Sequence, residues 1–503
     1  RATVPTAPPS LITERTAATG VVAAPGAFAL FGNSSLASGP SRSQTNEPSV
    51  ANNGFNIFAS YNWYAGLSTN NGRTWAYVDP YTTFPSVNGG FCCDQDVFYD
   101  ASRDLTFWLL QYVKNAQGNV LRLAVAQGKT GLASGDWYYY DFPPVGNCAG
   151  AVAGDWFDYP HLTRSNNFLY LGSNVFTTAD AFRCTTLMRL PLDELASASS
   201  LSFQYFSSQS VGSFKSAEGA TDTMYFASQL STTQTRVYTW PENTTTLTSN
   251  DVSRAASING PFNCVVAASG VNPCGREDTR IQAAWLRRGT ELGFMWGSAQ
   301  GADGLGTFAY PYVRVLTMNA SNKAVLSDGA IWNPSFAWLV PSASVNARDH
   351  VGGTIAYAGG AYHPSCGAWL YDDFSSALLP LESVSVQTGT SSPSGDRWGD
   401  YLRARRSGLS SLQWIGTCYA IEGGTVTPRV TQFGRARDEA CTPDIDGNGS
   451  IDALTDGLLM TRAMFGLTGT AVTNGALGPG ATRTSWAAIR GYLNGACGAN
   501  FAP

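Results

Sequence analysis

The sequence predicts a mainly β protein: a β-propeller of about seven blades, followed by a small α-helical module. Three observations predict this architecture: the composition, a repeat of strand-like runs, and a change of pattern after Arg437. The chain has 503 residues, with 53 glycines, 12% aromatic residues and only 13% charged residues. A composition rich in glycine and aromatic residues favours many short strands joined by tight turns.

The repeat consists of seven short apolar runs, roughly 50–70 residues apart, a period that indicates a propeller blade with its loops. The runs are Ile57–Tyr61, Phe107–Tyr112, Leu169–Asn174, Met224–Ser228, Leu292–Ser298, Thr354–Ala358 and Leu412–Thr417. The spacing leaves room for four strands in each repeat. A β-helix and a single large sandwich are the alternatives; the long period argues against the first, and seven similar units argue against the second.

One turn sequence supports the propeller. Residues 68–75 read Ser-Thr-Asn-Asn-Gly-Arg-Thr-Trp, which resembles the Asp-box, a hairpin turn of the sialidase-like β-propeller superfamily. The resemblance implies that Asn70 accepts hydrogen bonds within the turn, that Gly72 adopts a positive φ, and that Trp75 packs into the blade. This role is structural, so the motif indicates a propeller without assigning an activity.

A loop near the C-terminus has the pattern of a calcium site. Ca²⁺ binds six to eight oxygen atoms, and a tight loop offers them from alternate positions. The predicted ligands are Asp444, Asp446, Asn448, Ser450 (through its carbonyl) and Asp452, with Gly449 at the sharp turn. Position twelve is Thr455 and the next residue is Asp456, so the sequence leaves the closing ligand open between these two.

The calcium loop leads into a predicted helix with apolar residues at Leu454, Leu458, Leu459 and 463–465, and Gly466 as its C-cap. Ser485 is predicted to cap a second helix that turns Trp486, Ile489 and Leu493 inward. This order resembles a dockerin-like or EF-hand-type module. Dockerins carry two calcium loops, whereas residues 468–484 contain no acidic residue, which favours calcium-dependent folding over docking. The predicted parts are an N-terminal extension (1–24), the propeller (25–437), a linker (438–443) and the helical module (444–503).

The ten cysteines predict disulfide bonds, because even cysteine counts in chains of extracellular composition pair in oxidising compartments. Cys264 and Cys274 are predicted to pair because they flank a short loop. Cys441 and Cys497 are predicted to pair because they bracket the tail segment. Cys366 with Cys418 and Cys148 with Cys184 are further expected pairs, while Cys92 and Cys93 bond to each other or to separate partners. We therefore expect a secreted protein at a bacterial cell surface, without a transmembrane segment.

Acidic residues recur just before the presumed innermost strands, where propeller loops surround the mouth of the central channel. They are Asp96, Asp158, Asp278, Asp349 and Asp400. These carboxylates are candidate catalytic or ligand-binding groups, and capping of turns or pairing between blades is the alternative. Sialidases hold a carboxylate with three arginines, and spacing alone nominates Arg280, Arg348 and Arg403 for such a triad. Trp398 and Tyr401 are candidate platforms for stacking sugar rings.

The net charge of −5, from 31 basic and 36 acidic residues, provides no basic field for nucleic acid. The common sequence motifs of serine hydrolases, zinc proteases and phosphate loops are missing. The sequence thus favours a secreted, calcium-binding propeller that recognises a glycan or another surface ligand without catalysis, with a tail for attachment to a protein partner or to itself. The alternatives are a carbohydrate-active enzyme, a glycoside hydrolase or polysaccharide lyase using the channel acids, and a polymerising extracellular subunit.

Overall fold

The computed structural model describes residues 12–14 (backbone only), 26–35, 47–374 and 381–503. Their strands form seven sheets arranged as blades around a central channel, antiparallel except for one added N-terminal strand, and one further two-stranded hairpin. The seven-bladed β-propeller predicted from the sequence is therefore confirmed. The first strand of each blade lines the channel, and the following strands lie progressively farther out.

The strands are numbered in chain order. Two N-terminal strands, β1 (Ile12–Glu14) and β2 (Phe28–Ser35), join the last two blades. Blade 1 contains β3 (Ser49–Asn53), β4 (Asn56–Tyr61), β5 (Tyr64–Ser68) and β6 (Ala76–Val78). Blade 2 contains β7 (Phe91–Asp100), β8 (Leu105–Tyr112), β9 (Leu121–Gln127) and β10 (Trp137–Phe142), with α1 (Gly128–Ser134) before β10. Blade 3 contains β11 (Trp156–Arg164), β12 (Phe168–Phe176), β13 (Phe182–Pro191) and β14 (Gln204–Ser208), with α2 (Leu192–Ala196) before β14. Blade 4 contains β15 (Lys215–Ser216), β16 (Thr223–Gln229), β17 (Gln234–Pro241) and β18 (Thr248–Ser253).

Blade 5 contains β19 (Ile281–Arg287), β20 (Glu291–Ser298), β23 (Tyr312–Asn319) and β24 (Val325–Ile331), with an inserted hairpin of β21 (Gly301–Ala302) and β22 (Thr307–Phe308). Blade 6 contains β25 (Ala337–Leu339) and β26 (Ser344–Val345), which both pair with β27 (Val351–Gly359), then β28 (Tyr362–Tyr371) and β29 (Leu381–Gly389), with β1 parallel to β29. Blade 7 contains β30 (Ala404–Arg406), β31 (Trp414–Glu422), β32 (Thr425–Arg435) and β2. A 3₁₀ turn (Ala436–Asp438) leads to the tail helices α3 (Asp456–Met464), α4 (Thr470–Thr473) and α5 (Trp486–Gly495).

The seven apolar runs of the sequence fall on or overlap the second strand of every blade, from β4 to β31. These strands are apolar because neighbouring blades cover both of their faces. In β8, for example, every residue from Leu105 to Tyr112 is buried. A strand enclosed on both sides loses the usual alternation of apolar and polar residues.

The ring closes between the two ends of the propeller chain, because β2 pairs with β32 as the outermost strand of blade 7. Arg435, at the end of β32, is 1% exposed and ties this closure to blade 6. Its guanidinium donates to both carboxylate oxygens of Asp372, at 2.6 and 2.7 Å, and to Glu382 at 2.9 Å. It also donates to the carbonyl of Gly26, at 2.9 Å, just before β2.

Five disulfide bonds pair all ten cysteines. The four pairs expected from the sequence are confirmed, and Cys92 bonds to its neighbour Cys93. Because such bonds form in oxidising compartments, they indicate an extracellular environment. None of the helices in the described part of the chain has the length and hydrophobicity that crossing a membrane requires.

The tail forms its own hydrophobic core, whose buried members are Ile445, Leu459, Ala463, Val472, Ala476, Trp486, Ile489, Tyr492 and Leu493. Ser485 caps α5 by accepting a hydrogen bond from the Ala488 amide, at 3.3 Å, in the predicted position. The predicted apolar face of the first tail helix is partly wrong: Leu454 is 79%, Met464 72% and Phe465 82% exposed. Leu454 and Phe465 lie outside α3, which spans only residues 456–464, and Met464 is its last residue.

We expect Arg435→Met to lower the free energy of unfolding by about 3–5 kcal/mol, because it removes the guanidinium that pairs with two buried carboxylates. Arg429→Met on the same strand is the matched control, since Arg429 pairs only with the partly exposed Glu422 and we expect a loss below about 1 kcal/mol. Urea unfolding followed by tryptophan fluorescence measures both. Equal losses in the two variants would contradict the closing role of Arg435.

Candidate functional site

The inner strands all run in one direction, so the channel has two distinct ends. We call the end at which the inner strands begin the mouth. We call the end at which the inner strands finish the underside. Asp158, Asp278 and Asp400 lie at or just before the starts of inner strands, at the mouth. The mouth position expected for Asp349 is wrong: it lies in the turn between β26 and β27, where its carbonyl accepts from Arg287 at 3.1 Å.

Asp96 lies deeper, within β7, and is completely buried. Its carboxylate accepts hydrogen bonds from Arg405 at 2.9 and 3.1 Å, Arg403 at 3.3 Å, Ser49 at 2.6 Å and the Leu162 amide at 2.7 Å. Burial raises the pKa of Asp96, but the two arginines outweigh it and the net pKa is lowered. Asp96 therefore remains ionised and connects blades, which does not suit a proton donor.

The three arginines nominated as a triad do not converge. Arg280 lies at the mouth, where it pairs with Asp278 and stacks over the Tyr159 ring at 4.3 Å. Arg403 lies inside the channel on Asp96, and Arg348 lies on the underside, paired with Asp438. The expectation of a sialidase-like carboxylate clamp is therefore wrong.

Trp398 and Tyr401 pack into the protein instead of facing the channel opening. They are 2% and 1% exposed. The Tyr401 hydroxyl donates to the Gln95 carbonyl at 3.2 Å, and Trp398 packs against Tyr419 with ring centroids 5.5 Å apart. Neither ring has a free face for a sugar, so these two predicted ligand platforms are not supported by their position.

The mouth holds a pair of acids that the sequence analysis missed, Glu47 and Asp94. Each carboxyl group affects the pKa of the other. Glu47 is fixed by Asn62 Nδ2 at 2.6 Å, Arg397 Nη2 at 3.2 Å and the Asp400 amide at 3.1 Å. Glu47 is 1% exposed, whereas Asp94 is 9% exposed. Neighbouring carboxylates repel, so the protonated form of Asp94 is favoured.

Burial raises the pKa of Asp94 well above its usual range, and the charges of Glu47 and Asp158 raise it further. Burial, followed by the charge of Asp400, also raises the pKa of Glu47. At Asp158 burial is again the largest cause of a raised pKa. The mouth is thus a crowded group of carboxyls that retains a proton at a pH where isolated acids are ionised.

A simple signal could have revealed Glu47. It stands two residues before β3, the position in blade 1 that corresponds to the acids of other blades. The predicted pattern of acids before inner strands includes only aspartates, so it omits Glu47. Asp94 lies two residues before Asp96 and directly follows Cys92–Cys93, in a part of β7 where the register shifts between Phe91 and Gln95.

The tail loop brings three carboxylates together. Asp444, Asp446 and Asp456 have ligand atoms within 4.8 Å of one another, the one set of this kind among the described His, Cys, Asp and Glu residues. Asp456 also accepts from the Ile445 amide at 2.6 Å and the Asp452 amide at 2.9 Å. Its place among the converging carboxylates makes Asp456 the candidate for the closing ligand.

The loop also contains a buried acceptor without a partner, Oδ1 of Asp444. Asn448 and Ser450 follow at the expected positions, with the Ser450 amide donating to Asn448 Oδ1 at 2.7 Å. Asp452 is exposed and is not part of the converging set. Three convergent carboxylates and an unsatisfied oxygen fit a hard cation such as Ca²⁺.

The turn that resembles the Asp-box has the expected contacts. Asn70 Oδ1 accepts from the Thr74 amide at 3.0 Å, and Ser68 Oγ accepts from the Gly72 amide at 2.8 Å. Gly72 has a φ of 86°, and Trp75 packs against the core of blades 1 and 7. The turn joins β5 to β6 and therefore lies on the underside.

No family model matches the chain, and no curated protein matches it. Among solved structures it is similar to an α-L-arabinanase of Penicillium chrysogenum complexed with arabinobiose, at 12% identity and a TM-score of 0.37, covering 80% of this chain and 98% of the other. A protein of unknown function from Dyadobacter fermentans gives 9% identity, a TM-score of 0.42 and coverage of 82% and 100%. A Trypanosoma rangeli sialidase complexed with sialic acid gives 11% identity, a TM-score of 0.37 and coverage of 64% and 53%. At such identities and scores these likenesses carry no argument about function, which must come from the site itself.

We expect Asp94→Asn to change the pH dependence of stability. A carboxyl whose pKa is raised on folding contributes stability that is complete below its unfolded pKa and is lost as the pH rises through its folded pKa. Asparagine cannot ionise, so the unfolding free energy of the variant, relative to that of the unmodified protein, should rise as the pH increases above about 4, the ordinary range of an aspartate pKa. Denaturant unfolding at several pH values measures this difference.

Asp349→Asn, on the underside, is the control for the loss of a carboxylate away from the mouth. A stability difference for Asp94→Asn that does not change with pH would contradict the raised pKa of Asp94.

Proposed function

We propose that the protein is an extracellular carbohydrate-active enzyme that cleaves glycosidic linkages at the mouth of its propeller channel. The observation that carries the proposal is the pair of buried acids at the mouth, Glu47 and Asp94, where burial and neighbouring carboxylates raise the pKa of both groups. Cleavage of a glycosidic bond needs a carboxylic acid that is still protonated at the working pH, together with a second, ionised carboxylate.

Asp94 is the proposed proton donor, because it is the more exposed member of the pair. It would transfer its proton to the glycosidic oxygen as the bond to the sugar carbon breaks. The positive charge that develops on the sugar ring would be stabilised by Asp158 and Asp400, and Asp400 has a side chain that is 28% exposed. One of these two carboxylates would then activate water or bond to the sugar carbon. Arg280 and Arg397 at the same rim would bind hydroxyl or acidic groups of the chain being cleaved.

The test is incubation with a panel of neutral and acidic polysaccharides, followed by assays for new reducing ends and for unsaturated products. We expect reducing ends without unsaturation, and a rate at least about 100-fold lower for Asp94→Asn, because general acid catalysis contributes that much. Asp349→Asn should keep the full rate. Saturable polysaccharide binding without turnover would instead support the non-catalytic glycan-binding function that the sequence favours. Unsaturated products would indicate a lyase.

We also propose that the tail loop binds Ca²⁺ through Asp444, Asp446, Asn448, Asp456 and the carbonyl of Ser450. The convergent carboxylates and the unpartnered oxygen of Asp444 support this. The ion would neutralise three negative charges in the loop and so hold the tail folded. Attachment to a partner protein or self-assembly through the tail stays a prediction.

For the calcium site, we expect calorimetry to detect one bound Ca²⁺ per chain, with binding lost in Asp456→Asn. Asp452→Asn is the matched control, because Asp452 is exposed and lies outside the convergent set, so its effect should be much smaller. Hydrogen exchange of residues 441–497 should become faster on chelation while that of the propeller stays constant. Unchanged exchange in the tail would argue against a structural ion.

A further inference from the structure

The tail contacts the underside of the propeller at two places, with a cleft of about 500 Å³ between them. The first contact is the linker, where Asp438 pairs with Arg348 and its carbonyl accepts from Gln413 Nε2 at 2.7 Å. The second contact joins the tip of the calcium loop to the Asp-box turn of blade 1. The walls of the cleft come from both bodies, including Gln432 of the propeller and Asn448 of the loop.

The second contact depends on the backbone of the loop. Arg73 Nη1 donates to Ser450 Oγ at 2.6 Å, and the Arg73 side chain lies directly on Gly449. A Cβ at Gly449 would overlap Arg73, and the φ of Gly449 is 73°, so this position needs glycine for two reasons. The contact with Arg73 therefore requires one backbone conformation of the loop tip, Gly449 and Ser450.

The base and the tip of the loop are held by different forces. Arg483 of the tail donates to the Ile445 carbonyl at 2.8 Å and to the Asp444 carbonyl, so the base keeps its place without help from an ion. The tip, Gly449 and Ser450, lies in the chain between Asp446 and Asp456, whose carboxylate oxygens lie within 4.8 Å of each other and of Asp444. A bound cation would offset the repulsion among these three carboxylates, and the path of the tip would then depend on the cation.

We propose that the Asp-box turn of blade 1 is a docking surface for the calcium-loaded form of the loop, so that Ca²⁺ closes the tail against the underside and its removal opens the cleft. This inference rests on the proposed calcium site. Docking and ion binding are then linked, and the linkage is reciprocal: if Ca²⁺ strengthens docking, docking strengthens Ca²⁺ binding by the same factor. A propeller residue that supplies no ligand should therefore affect calcium affinity.

The first test measures the Ca²⁺ affinity of the full chain by calorimetry. Arg73→Ala should weaken Ca²⁺ binding by about 5-fold or more, the lower end of usual couplings. Arg103→Ala is the matched control, since Arg103 lies in an underside turn of blade 2 and bonds to Asp193 and Asn166 instead of the tail. Its affinity should equal that of the unmodified chain. Equal affinities for all three proteins would overturn the proposal.

The second test separates this proposal from the calcium site itself. Hydrogen exchange of residues 68–75 in the unmodified chain should be slower with Ca²⁺ than with a chelator, and in Arg73→Ala it should not depend on Ca²⁺. If the chain binds Ca²⁺ but exchange in this turn is the same in both conditions, docking is overturned and the ion site stands. If the unmodified chain binds no Ca²⁺, both are overturned.

Discussion

The carboxylate of Asp96 is the contact on which the rest of the propeller depends. A propeller blade contacts only its neighbours, so something must fix the blades around a common axis. Asp96 of blade 2 does this by accepting from Ser49 of blade 1, the Leu162 amide of blade 3 and Arg405 of blade 7. Arg405 continues the network to Glu218 beside blade 4. Removing a buried charge from its partners costs several kcal/mol, so these blades are held in one arrangement.

This central network also determines where chemistry can occur. Inside the channel, Arg403 and Arg405 pair with Asp96, and Arg405 also pairs with Glu218. At the mouth the balance is different, because burial and neighbouring carboxylates raise the pKa of Glu47, Asp94 and Asp158, even though Arg397 pairs with Glu47. The same residue type is thus held ionised at Asp96, whereas the protonated form is favoured at Asp94. The difference between them is the charge of their neighbours.

Much of the fold could be predicted because it is encoded locally. The second strand of each blade is a continuous apolar run, and the loop from Asp444 to Asp456 has acidic and amide side chains at the spacing that predicts a cation site. The site was less predictable for two physical reasons. Its contacts join residues hundreds of positions apart, such as Arg405 with Asp96, and no local pattern reports them. In blade 6 the inner strand β26 has only two residues, so the turn that follows it resembled a loop that enters a strand, and Asp349 was placed at the wrong end.

The pairing of β2 with β32 has a consequence for the order of folding. Blade 7 takes its outermost strand from the beginning of the chain and its other three from the end of the propeller, about 400 residues later. During synthesis the first strand must wait, unpaired, until the last has emerged, and six blades have to form an open arc before the circle is complete. An exposed strand edge of this kind attracts other chains. The time for which these strand edges can aggregate therefore depends on how fast blade 7 is synthesised and folds. A folding catalyst or chaperone would shorten or protect this stage.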